Sequence, residues 1–114
     1  FNDRQVSAFG LSHEPDVFNA IRSTGSNSYL RYAVDVLIRK EQLDRALDFC
    51  KLLSSRHVNH QLFDGSLYQL GELMGKHDYA TLPVGKAKDK AREYTAGDKA
   101  LRRFEKGYKK GFRR

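Results

Sequence analysis

Cysteine occurs once in these 114 residues, methionine once, proline twice and tryptophan not at all. A lone thiol, Cys50, excludes an internal disulfide framework and suits a reducing, intracellular compartment. No run approaches the roughly 18 apolar residues that a membrane span requires, and none reads as a signal-peptide core. The two prolines, Pro15 and Pro83, fall where a helix opens and where the chain bends, not inside an apolar pattern. Motifs that carry chemistry are also missing. There is no Gly-rich phosphate loop, no nucleophile-elbow serine, no paired Cys-x-x-Cys and no paired-carboxylate metal motif. The expectation is a protein that is not an enzyme and needs no cofactor or metal.

What the chain does have is a lopsided charge. Residues 86–114 hold twelve Lys/Arg against four Asp/Glu, whereas residues 1–85 hold nine against ten. A near-neutral body joined to a strongly cationic segment points to a polyanionic partner. The sequence divides accordingly into a helical body, 1–85, and a basic amphipathic C-terminal helix or arm, 86–114.

Apolar spacing predicts four or five helices, after a weakly patterned stretch at residues 1–12. Val6, Phe9 and Leu11 are the anchors expected before the first helix, which opens at His13-Glu14-Pro15-Asp16 and stops in the Ser/Gly-rich stretch 23–28. That stretch also supplies the next N-cap. Tyr29, Tyr32, Ala33, Val36 and Leu37 recur at three- and four-residue steps, as do Leu43, Ala46, Leu47, Cys50 and Leu53. Only a few polar residues around Lys40–Gln42 separate the two runs, which predicts an antiparallel hairpin. Leu62, Phe63, Leu67, Leu70, Leu73 and Met74 build a further helix, weakened by Gly65 and Gly71 and capped by Gly75. The expected fold is an all-α small bundle built on antiparallel helical hairpins. Its core should comprise Tyr29, Tyr32, Val36, Leu37, Leu43, Leu47, Phe49, Leu53, Phe63, Leu67, Leu70 and Leu73.

Within this pattern, residues 29–80 resemble a tetratricopeptide or pentatricopeptide helical-hairpin repeat. The resemblance rests on the aromatic-led helix at Tyr29, on Asp44-Arg45-Ala46-Leu47 in the second helix, and on a 34-residue period. That period links Tyr29 to Phe63 and Ala46 to Ala80. The resemblance implies a binding scaffold, for protein segments in the first family and for single-stranded RNA in the second.

The basic segment is the candidate site. Tyr94, Leu101, Phe104, Tyr108 and Phe112 share one side of a helical projection, and the cations fill the rest. Lys99, Arg102, Arg103, Lys106, Lys109, Lys110 and Arg113 are the expected phosphate contacts, with Tyr108 and Phe112 as stacking partners for unpaired bases. A competing expectation packs the aromatic stripe into the core and leaves the cations as a solvated face. The same pattern would suit a membrane-surface helix or a calmodulin target, but the near-neutral body adds no lipid signal. Cys50, His57, His60 and His77 are types that ligate zinc, although their spacing matches no zinc signature. The predicted function is nucleic-acid binding, RNA ahead of DNA. The rival is a helical-repeat-like protein-interaction scaffold whose basic tail docks on an acidic partner or an anionic membrane surface.

Overall fold

In a computed structural model, residues 15–113 are described, and among them every regular element is helical. Six α-helices follow one another: α1 (Pro15–Thr24), α2 (Asn27–Arg39), α3 (Leu43–Ser55), α4 (Asp64–Tyr79), α5 (Ala87–Thr95) and α6 (Arg102–Gly111). The all-α expectation therefore holds. Val6, Phe9 and Leu11 lie outside the described residues. The chain divides into two compact units at Val58/Asn59. The expected boundary near Gly85 instead falls inside the second unit, because the basic segment packs on α4 and completes that unit's core.

The first unit holds α1 to α3. Ser26 caps α2 by accepting a hydrogen bond from the Tyr29 amide at 3.2 Å, as the Ser-rich stretch predicts. Leu30, Ala33, Val34 and Leu37 of α2 meet the buried face of α3, formed by Ala46, Phe49, Cys50 and Leu53. On α2 the expected core holds at Val36 and Leu37 and departs at its two tyrosines, and Leu73 of α4 is only half-buried. Tyr32 is 38% exposed, and Tyr29 and Leu43 are half-buried. The reason is geometric: apolar residues occupy two adjacent faces of α2, and the side carrying aliphatic Leu30 and Val34 fits the hairpin more closely. Arg56, at the end of α3, ties this unit together. Its guanidinium donates to the Gly25 carbonyl at 2.9 Å, to Asn27 Oδ1 at 3.2 Å and to the Arg22 carbonyl at 3.2 Å. Arg22 in turn pairs with Asp48 at 2.7 Å.

The α2–α3 turn is a Schellman closure without glycine. The Gln42 amide donates to the Leu37 carbonyl at 2.9 Å and the Glu41 amide to Ile38 at 3.0 Å. Glu41 itself sits in the left-handed region at φ 59°, a position that costs an L-residue roughly 1–2 kcal/mol. Glu41→Gly should therefore raise unfolding stability by about 0.5–1 kcal/mol, read by chemical denaturation.

The second unit holds α4 to α6. Two glycine pairs bring α4 and α6 together, Gly71 with Gly75 and Gly107 with Gly111. A Cβ at Gly71 would strike the Phe104 carbonyl oxygen and lie 2.8 Å from the Tyr108 amide nitrogen. One at Gly75 would strike the Tyr108 carbonyl oxygen, and those at Gly107 and Gly111 the carbonyl oxygens of Tyr68 and Glu72. The contacted residues advance together along both helices, so α4 and α6 run in the same direction, and α5, which joins them in sequence, packs on α6. None of these four glycines is a defect or a cap. Gly75 lies inside α4, which continues to Tyr79.

The basic segment is two helices, not one. Ala96 and Gly97 both adopt left-handed conformations, at φ 53° and 73°, and end α5. Asp98 then caps the short turn Lys99–Leu101 through the Ala100 amide at 2.9 Å. This break lets α6 fold back onto α5.

Candidate functional site

Packing decides which faces of α5 and α6 meet solvent. Phe104, Tyr108 and Phe112 turn inward with Gly107 and Gly111, and all are buried. Their rings continue a column: Tyr94 lies 5.9 Å from Phe104 and 5.7 Å from Tyr108, and Phe112 lies 5.8 Å from Tyr108 and 5.6 Å from Tyr79. The Tyr94 and Tyr108 hydroxyls both donate to Asp78 Oδ2, at 2.8 and 2.7 Å. Burial and the Asp78 carboxylate together hold the Tyr108 hydroxyl in its neutral form, well above the ordinary tyrosine range.

This overturns one part of the expected site. Tyr108 is 0% exposed and Phe112 3%, so neither ring can offer its face to a base from the outer side of α6. The competing expectation, a stripe packed into the core, describes them correctly. With its aromatic side so engaged, α6 presents charged side chains to solvent at Arg102, Arg103, Lys106, Lys109 and Lys110. No described helix is long and apolar enough to cross a membrane.

The cations take the opposite side. Lys99, Arg102, Arg103, Lys106, Lys109, Lys110 and Arg113 are all exposed. Lys99, Arg102, Lys106 and Lys109 line one groove of about 500 Å³ together with Lys88 and Arg92 of α5. Glu105 is the lone acid in that lining. Arg102 and Lys106 also border a neighbouring hollow of about 340 Å³, shared with Lys99 and Arg103. On its far wall His60 Nδ1 lies 3.0 Å from Asp64 Oδ1. The three shared residues, Lys99, Arg102 and Lys106, form a ridge between the two depressions.

Two expected members are diverted. Lys110 turns toward α4, with its ammonium 5.5 Å from the Tyr68 ring centre and 3.9 Å from Glu72. Arg103 also lies over the Tyr68 ring, 5.6 Å from its centre, though it still borders the smaller hollow. Arg113 borders a third depression, near Tyr79 and Phe112. Lys88 and Arg92 are the members that sequence reasoning missed. Their four-residue spacing within the basic segment was the available signal, obscured by reading residues 86–114 as one helix.

Cys50 carries none of this chemistry. Its thiol is buried in the first unit, where desolvation and the Asp35 charge push it far above the normal thiol range. No cluster of three metal-ligating side chains occurs among the described residues. Comparison with protein-family models, curated protein sequences and solved structures returned no match.

Proposed function

We propose that the chain is a nucleic-acid-binding module that holds a phosphate backbone along the α5–α6 groove. The observation that carries this reading is the convergence of six exposed cations, from two helices and the turn between them, on one groove containing a single carboxylate. Lysine and arginine there neutralise phosphates and release counterions, without reading sequence. RNA stands ahead of DNA because the helical hairpins resemble a single-strand scaffold. With Tyr108 and Phe112 withdrawn from the outer face, affinity rests on charge.

The test is binding of the full chain to a fluorescent single-stranded RNA across a salt series. Six phosphate contacts to a single strand give a slope of about −4 in log K against log salt, a loss on the order of a few hundredfold from 50 to 200 mM. Substituting Lys99, Arg102 and Lys106 together by Ala should lower that slope by about 2 and leave the fold intact. Point variants are sharper than truncation at Gly85, which would strip Phe104 and Tyr108 from the second unit's core. Absence of binding at 50 mM salt, or a slope near zero, rejects the reading.

A second reading makes the chain a protein-interaction scaffold with its groove on an acidic partner. It is favoured by Tyr32 and Leu62, which leave large apolar groups at the surface, and by the repeat-like hairpin. Binding to an acidic polypeptide with a shallow salt response would select it.

A further inference from the structure

Next to the cationic groove lies a hollow of different chemistry. It is an open depression of about 660 Å³, lined by Tyr79, Ala87 and the edge of Phe112 and bordered by Lys88, Lys109 and Arg113. None of its lining residues is acidic. The three cations are exposed, whereas Tyr79 and Ala87 are half-buried and Phe112 is buried, so the apolar atoms lie deeper than the charges. The Tyr79 and Phe112 rings meet edge to face, with centres 5.6 Å apart and planes at 74°. Half-buried Tyr79 is therefore the accessible aromatic wall, against whose open side a flat ring can lie, and buried Phe112 fixes it from beneath.

Its position gives the hollow an occupant. Lys88 and Lys109 line both this hollow and the groove. An anion held between them stands at the mouth of one and the end of the other. A group that satisfies the whole arrangement needs a negative charge joined to a flat apolar body. We propose that the hollow takes one unpaired base of a single strand, with the adjoining phosphates lying against Lys88 and Lys109. This inference rests on the nucleic-acid reading above and narrows it from phosphate backbones in general to strands with a free base. A duplex keeps its bases paired and stacked and cannot fill the hollow without unpairing one.

An abasic oligonucleotide separates the two levels, since it retains the phosphates and lacks the bases. The full chain should bind an intact single-stranded decamer about tenfold or more tightly than an abasic decamer of equal charge, because stacking of one base on an aromatic wall is worth that much. Tyr79→Leu should bring the two affinities together while leaving the salt slope unchanged. Ala87→Leu fills the hollow from the first turn of α5 and should do the same. It keeps the test valid if Tyr79→Leu unfolds.

Equal binding of intact and abasic strands with a steep salt slope would overturn the inference and spare the groove reading. No binding of either at 50 mM salt would remove both. Displacement of the intact strand by a Glu/Tyr copolymer of equal charge, at equal concentration, would also overturn it, since the occupant would then be an acidic protein segment.

Discussion

Gly71→Ala should destabilise the second unit by about 3 kcal/mol or more, and Gly107→Ala by a similar amount. In an ordinary helix interior the same exchange helps by up to about 1 kcal/mol, because alanine restricts the unfolded chain and favours the helix. Gly65 supplies the control. It lies near the start of α4, is exposed, and has nothing within 4 Å of where a Cβ would project. Gly65→Ala should therefore be neutral to stabilising. At Gly71 the obstacle is the Phe104 carbonyl and the Tyr108 amide. Backbone atoms of a packed helix cannot rotate aside as a side-chain tip would, so α6 must move as a whole. Urea unfolding of the three variants checks the contrast, and equal effects at all three positions would contradict the close crossing.

Asp78→Ala should cost about 3 kcal/mol. The carboxylate oxygen Oδ2 accepts from two hydroxyls, Tyr94 and Tyr108, and hydrogen bonds to a charged acceptor contribute about 1.5–3 kcal/mol each. Removal also leaves the fully buried Tyr108 hydroxyl without this acceptor. Asp78→Asn keeps a neutral acceptor and should lose about half as much. The double variant Asp78→Ala with Tyr108→Phe should cost less than the sum of its parts, because the second change removes the stranded donor.

The same pair gives the protein an alkaline limit. Burial, reinforced by the hydrogen bond to Asp78, raises the folded-state pKa of Tyr108 above its unfolded value near 10. The neutral hydroxyl is therefore stabilised by folding. That contribution is fully present below about pH 10 and is lost as pH climbs beyond it, since the unfolded chain gives up the proton first. Denaturation midpoints from pH 8 to 11 should fall in the upper half of that range, and the fall should be shallower in Tyr108→Phe.

Much of the architecture is legible in the apolar spacing. The α2–α3 hairpin, its turn around Lys40–Gln42 and the helix through Leu67, Leu70 and Met74 all follow from three- and four-residue steps. So does the inward orientation of Phe104 and Tyr108, once the stripe is taken as core. Spacing is blind to which of two apolar faces wins, which is why Tyr32 lies outside the core while Leu30 and Val34 fill it. It is also blind to the meaning of glycine. Gly71-x-x-x-Gly75 and Gly107-x-x-x-Gly111 carry equal spacing, yet each residue taken alone scores only as a helix weakener. Their value is pairwise and across 36 positions of sequence, so local propensity cannot express it. Ala96 hid the break in the basic segment for a related reason: alanine is the best helix former, and here it is held left-handed. With that break unseen, Lys88 and Arg92 had no reason to share a groove with Lys106 and Lys109.

Helix α6 has two masters. Its inner side is fixed by the glycine crossing and the aromatic column, and its outer side carries three of the groove's six cations, Arg102, Lys106 and Lys109. In the titration that tests the proposed nucleic-acid binding, damage to the two sides therefore leaves different fingerprints. A chain weakened at Gly71 presents the full set of charges whenever it is folded, so its apparent affinity falls in proportion to the folded fraction while its ionic-strength exponent stays that of the parent. A chain neutralised at Lys99, Arg102 and Lys106 keeps its folded fraction and changes the exponent. Ligand added in excess restores the first by mass action and cannot restore the exponent of the second.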